Sequence, residues 1–138
     1  MNAFTLTRSL AASTDRVWAV IGDPGSSPGP GVDVTVERPG AADGTGLIRT
    51  VTLGRGRFRE EITSVGPGFA LSYRLLWGAP VRDYTGSVAL DESPDGGTVV
   101  RWSISFRPLI MGTGPLVSLL TKRSVKRVLD VIDARTRN

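Results

Sequence analysis

Neither histidine nor cysteine occurs among the 138 residues, and that absence decides what chemistry the chain can attempt. Without histidine the commonest general base at neutral pH and the commonest transition-metal ligand are gone, so a Ser-His-Asp triad and a zinc hydrolase site are excluded. Without cysteine there is no thiolate nucleophile, no disulfide and no zinc-thiolate centre. Acid-base work falls to Asp, Glu, Tyr, arginine-polarised water or the two lysines, Lys122 and Lys126. Five polar residues interrupt the apolar set of alternating runs: Arg49, Glu60, Tyr73, Arg82 and Tyr84. An apolar lining with a few orienting polar groups is what a ligand pocket needs. A simpler reading stands beside it, in which Arg49 and Glu60 form a buried ion pair that satisfies itself. The tyrosines would then be core aromatics whose hydroxyls find backbone partners.

The elements that must position these residues can be read from hydrophobic period. Residues 4–10 alternate apolar and polar with period two, as a half-buried strand does. A short helix follows at residues 13–21, with Ser13 or Thr14 as its cap and Asp15 in its first turn. It must stop at Gly22-Asp23-Pro24, because the segment from Gly22 to Gly31 is almost all Gly, Pro and Ser and reads as an exposed loop. Six more strand-like runs, separated by Gly, Pro and Asp turn signals, cover 32–37, 47–53, 57–65, 69–77, 82–91 and 98–106. Short turns between sequential strands predict an antiparallel meander.

From Gly114-Pro115 the period changes to that of a helix about twenty residues long, roughly 30 Å. Val117, Leu120, Ser124, Val125, Val128, Val131 and Ile132 share one side of it. One such helix can bury its stripe only across the concave face of the sheet.

Once one residue per strand is placed, period-two parity assigns the faces. Val100, Trp102, Ile104 and Phe106 go inward together, as do Arg82, Tyr84, Gly86, Val88 and Leu90. Phe58, Glu60 and Ile62 share a face, as do Arg49 and Val51, and Tyr73 and Leu75. The candidate ligand-binding set is therefore Phe58, Tyr73, Gly86, Val88, Val100, Trp102 and Ile104, joined by Leu120 and Ser124 from the helix. Gly86, inside a strand, admits either a bend in the sheet or close approach of a ligand.

The hydrophobic fraction of 40% and charged fraction of 22% describe one globular domain over residues 1–138. No run approaches the roughly 20 apolar residues that span a bilayer. The opening Met1-Asn2-Ala3-Phe4-Thr5-Leu6-Thr7-Arg8 lacks the apolar stretch of an export signal, so a cytoplasmic location is expected. The net charge is +4, and the six basic residues between Lys122 and Arg137, set against Asp130 and Asp133, account for all of it. A solvated helix face explains that cluster. A nucleic-acid partner is disfavoured, since no helix-turn-helix or basic-aromatic interleaving is present. Peripheral contact with an anionic membrane, or with a partner protein, stays open, as does the oligomeric state.

The order of strand, short helix, six meandering strands and long terminal helix, with Asp15-Arg16-Val17-Trp18, Gly44-Thr45-Gly46-Leu47-Ile48-Arg49, Arg59-Glu60-Glu61-Ile62, Leu71-Ser72-Tyr73-Arg74, Val81-Arg82-Asp83-Tyr84-Thr85-Gly86 and Gly96-Gly97-Thr98-Val99-Val100-Arg101-Trp102, resembles the START-like helix-grip (SRPBCC) superfamily. Within it the chain looks most like the bacterial polyketide cyclase/dehydrase branch.

The resemblance implies an α+β helix-grip fold of the Bet v 1/START type, a curved seven-stranded antiparallel sheet wrapped around a long C-terminal helix. It implies an internal cavity for an apolar or aromatic molecule such as a lipid or polyketide, and no metal or cofactor. If the chain is an enzyme, it implies a cyclase or aromatase. Arg49 or Arg82 would then stabilise a developing enolate while Glu60, or a tyrosine such as Tyr84 with bound water, moves the proton. The sequence departs from the family pattern at Gly22–Gly31, where relatives carry a second short helix. That implies a shallow or open cavity and favours binding over chemistry.

Overall fold

A computed structural model describes residues 1–137. Its elements are β1 (Asn2–Leu10), α1 (Thr14–Ile21), β2 (Val32–Arg38), β3 (Ile48–Leu53), β4 (Gly56–Val65), β5 (Ala70–Trp77), β6 (Val81–Glu92), β7 (Thr98–Pro108) and α2 (Gly114–Thr136). All seven strands join one antiparallel sheet in the order β1-β7-β6-β5-β4-β3-β2. Strands β2 to β7 are the meander expected from the turn signals, and β1 closes the row beside β7. The chain must therefore cross from one edge of the sheet to the other between β1 and β2. Helix α1 and the Gly/Pro segment make that crossing.

Ser13 caps α1, its hydroxyl accepting from the Arg16 backbone N–H at 3.4 Å. Gly22 ends the helix with the Trp18 indole packed against it, where an added Cβ would lie 2.5 Å from the ring. Helix α2 starts with Pro115 in its first turn, where the missing N–H costs nothing. Its 23 residues extend a turn beyond the sequence expectation, to Thr136, whose hydroxyl donates to the Ile132 carbonyl at 2.7 Å.

The buried face of α2, carrying Val117, Val125, Leu129 and Ile132, packs with Val17 of α1 and with Ile62, Val100, Ile104 and Phe106 of the sheet. Among the strands, α2 touches β1 and β7 most closely. The helix thus lies toward one side of the concave surface.

Substitution of Leu129 by alanine, at a position 1% exposed, is expected to lower the unfolding free energy by about 2–5 kcal/mol. Leu119→Ala, on the exposed side of the same helix, should change it by less than about 0.5 kcal/mol. Urea denaturation of the two variants measures the difference.

Candidate functional site

Because α2 rests on the β1–β7 side, the space over β3 to β6 is left unfilled, and it forms a cavity of about 330 Å³. The size is at the small end of ligand pockets. Its walls are largely apolar: Val51, Phe58, Leu71, Leu75, Val88 and Trp102 from the sheet, and Val117, Leu120, Val125 and Val128 from α2. Val20 and Ile21 of α1 and Pro28 of the following segment close one side.

The polar minority sits together. Arg49 and Glu60 are directly opposite in the β3–β4 register, which brings their side chains face to face. Arg49 donates to Glu60 Oε1 from Nε at 3.2 Å and from Nη2 at 3.0 Å. Its Nη1 donates to the Pro24 carbonyl at 2.8 Å. The side chains of the pair are 17% and 13% exposed. Burial pushes the Glu60 carboxyl above its usual value of 4.5, more strongly than the charge and hydrogen bonds of Arg49 pull it down. Both arginine bonds go to Oε1, so Oε2 remains for a ligand or a proton.

Tyr73 accepts from Trp102 Nε1 at 3.0 Å, and the two rings meet edge to face. Tyr84 stacks on Phe106, with ring centroids 6.1 Å apart. Burial raises both phenols well above their ordinary value; the negative charge of Glu60 raises them further. Both hydroxyls therefore keep their protons at physiological pH and are free to donate them in hydrogen bonds. Thr121, not anticipated from the sequence, lines the cavity from α2 near Tyr84. It lies midway between Val117 and Val125 at i+4 spacing, which was the signal that could have found it.

Nine of the residues singled out in the sequence line the cavity: Arg49, Phe58, Glu60, Tyr73, Tyr84, Val88, Trp102, Leu120 and Ser124. Four do not. Arg82 is exposed and outside the lining, because β6 bulges: the register runs from Arg82 opposite Arg107 to Thr85 opposite Ser105, so Asp83 and Tyr84 together face the single Phe106. The extra residue, Asp83 at φ +52°, reverses parity between Tyr84 and Arg82. Gly86 meets no ligand space, since the Tyr73 ring lies over it and an added Cβ would be 2.3 Å from that ring. Val100 and Ile104, 0% and 2% exposed, belong to the solid core.

The Gly22–Gly31 segment also differs from the exposed, open loop expected. It has no helix, yet Pro24 is buried and held by Arg49. Arg135 of α2 donates to the Ser27 carbonyl at 2.9 Å. Gly29 sits so close to Val131 that a Cβ there would collide. Glycine is needed at that contact, and the segment is stitched down over one side of the cavity. Among the described residues no group of three or more acidic side chains converges as a metal site.

The family model for polyketide cyclase / dehydrase and lipid transport matches residues 1–136. The chain belongs to that family. No curated protein sequence matches it. Solved structures show the same helix-grip fold at low identity. A START superfamily protein from Mycobacterium smegmatis is 12% identical with a TM-score of 0.78, the match covering 97% of this chain and 96% of that one. An uncharacterized protein from Bacillus thuringiensis is 17% identical with a TM-score of 0.77, over 99% and 100% of the two chains. Norcoclaurine synthase from Thalictrum flavum, solved in complex with dopamine and hydroxybenzaldehyde, is 17% identical with a TM-score of 0.75, over 96% of this chain and 84% of that one. No helix among the described residues is long and apolar enough to cross a membrane.

Two outcomes test this geometry. Gly86→Ala should destabilise the fold by about 1–3 kcal/mol through its clash with Tyr73, read as a lower denaturation midpoint. For Glu60, a raised pKa in the folded state means that the fold binds this proton more tightly than the unfolded chain does. The stabilisation is fully present below the usual value of 4.5 and is lost as pH rises through the raised value. Relative to Glu60→Gln, the natural protein should lose stability as pH rises through that window and then level off. Paired urea titrations across the pH range check the sign.

Proposed function

We propose that the protein binds an apolar or aromatic small molecule of the lipid or polyketide kind inside the cavity, with Arg49, Glu60, Tyr73 and Tyr84 orienting the ligand's polar end. The observation that carries this reading is the clustering of these four polar groups on the wall of a largely apolar cavity. A cavity of that size accommodates a molecule of one or two rings or a short chain. The neutral phenols offer hydrogen-bond donors, and Glu60 Oε2 offers an acceptor. The neighbouring norcoclaurine synthase structure, which holds two aromatic molecules, supports an aromatic ligand.

Displacement of a fluorescent apolar probe and native mass spectrometry on the whole chain test the proposal. Val51→Trp, which fills part of the cavity, should weaken binding at least about tenfold while the protein stays folded. Unchanged binding in that variant, or no binding across a broad apolar panel, would sink it.

A catalytic reading is favoured by one observation, a largely buried Glu60 carboxyl held through Oε1 by a guanidinium with Oε2 left free. A carboxylate whose pKa burial raises is a stronger base and can take a proton from the carbon between two carbonyls of a poly-β-ketone. The enolate then bonds to a second carbonyl carbon, and the carboxylic acid returns the proton to the alkoxide formed. Arg49 has three of its five N–H groups engaged, and the remaining two would face the developing enolate oxygen. Arg82, outside the cavity, has no part in it. Glu60→Gln should then abolish cyclised product while ligand affinity changes only severalfold. Retained product formation would leave binding as the whole function.

A further inference from the structure

The antiparallel meander puts three connections at one end of the molecule: the β3–β4 turn, the β5–β6 turn and the β7–α2 loop. The last two are tied together, Leu109 N–H donating to the Pro80 carbonyl at 3.0 Å. This end carries most of the molecule's large exposed apolar side chains. Met111 is 98% exposed, Trp77 64% and Ile110 59%, and they are joined by Leu109 of the same loop and by Leu116 and Leu119 in the first turns of α2. Nothing in the core requires these side chains outside, and turn tips normally carry polar residues.

The charge around them is one-sided. Arg55, Arg57, Arg82, Arg123 and Arg127 are exposed and, among the described residues, form no ion pair. Arg127 reaches across α2 to the β3–β4 turn at Gly54. The three connections contain no carboxylate, and α2 has none before Asp130. Of the two nearby acids, Asp83 is engaged with Arg107, and Asp33 lies on the edge strand β2. At the opposite end, the last two residues of β6 are Asp91 and Glu92, and the β6–β7 turn carries Asp95.

We propose that this end docks on an anionic lipid surface, with the apolar tips entering the headgroup boundary and the arginines resting on lipid phosphates. Apolar tips flanked by unpaired arginines match both components of interfacial binding. A tryptophan standing out at the rim suits the same boundary. A second copy of the chain is a poor occupant, because a twofold contact would press arginines against arginines. The cavity reaches this end of the molecule, since Gly78, Ala79, Pro80 and Leu120 line it. Docking goes beyond ligand binding and does not require it, so failure of one leaves the other standing.

Co-sedimentation of the whole chain with vesicles tests the proposal. Phosphatidylcholine vesicles containing about 30% phosphatidylserine should retain the protein, and phosphatidylcholine alone should not. Retention should fall when salt is raised from about 0.1 M to about 0.5 M. The double variants Ile110→Asp/Met111→Asp and Arg123→Glu/Arg127→Glu should each weaken retention at least about tenfold with unchanged thermal melts. Arg38→Glu, at the far end of β2, changes the charge as much as Ile110→Asp/Met111→Asp does and half as much as the arginine pair, and it should bind like the natural protein. Equal retention on neutral vesicles, none on anionic ones, or variants that bind normally would overturn the proposal. So would a dimer in light scattering that Ile110→Asp dissolves while vesicles are ignored, which would assign the surface to a second copy.

Discussion

A single amphipathic helix cannot cover the whole concave face of a seven-stranded sheet, and most of this structure follows from where that helix lies. The α2 stripe of Val117, Val125, Leu129 and Ile132 is buried on the β1–β7 side, with Val100, Ile104 and Phe106 beneath or beside it. Over β3 to β6 the helix faces the sheet across a gap, with Val117, Leu120, Val125 and Val128 on its far wall. Side chains there either grow long enough to fill the gap or line a hollow. In this chain the apolar ones are valines, leucines and one phenylalanine, set beside Arg49, Glu60, Tyr73 and Tyr84, and a hollow remains. The same offset explains why residues of identical parity on β7 have different fates: Val100 and Ile104 are solid core, whereas Trp102 reaches the cavity.

The Arg49–Glu60 pair is costly to bury, and its hydrogen bonds show how the cost is offset. Two N–H groups hold one carboxylate oxygen and a third holds a backbone carbonyl, so three of the five guanidinium N–H groups have protein partners. That third bond also anchors the segment between α1 and β2. A segment too rich in glycine and proline to form a helix is held by Arg49 from the sheet and by Arg135 from α2. The polar group that would orient a ligand and the cover of the cavity thus share one side chain.

Much of this was legible in the residues. Turn signals located all seven strands within about two residues, and the shift from period two to helical spacing located α2. Parity placed Arg49, Glu60, Tyr73 and Tyr84 on the cavity face because β3, β4 and β5 keep their alternation at the first three and β6 keeps it from Tyr84 onward. It failed for Arg82 because a bulge adds one residue and flips every side chain beyond it, and nothing in Val81-Arg82-Asp83-Tyr84 announces the bulge. At Gly86, where a bend in the sheet or close approach of a ligand was expected, the group that approaches is the Tyr73 ring. The cover was misread for a different reason. Composition showed that the segment lacks a helix, whereas its burial depends on contacts with residues 25 and 108 positions away in the chain, which local sequence does not encode.

The central claim is that the hollow between α2 and strands β3 to β6 is a binding site and the adjoining core is not. Titration with 2-naphthol, two aromatic rings bearing one hydroxyl, followed by methyl resonances of the whole chain, tests it directly. The account predicts saturable shifts at Val51, Val88 and Val128, with Val100 and Ile104 unmoved. Shifts confined to Leu116, Leu119 and other exposed methyls, or shifts at Val100 and Ile104 without those at Val88, would contradict it.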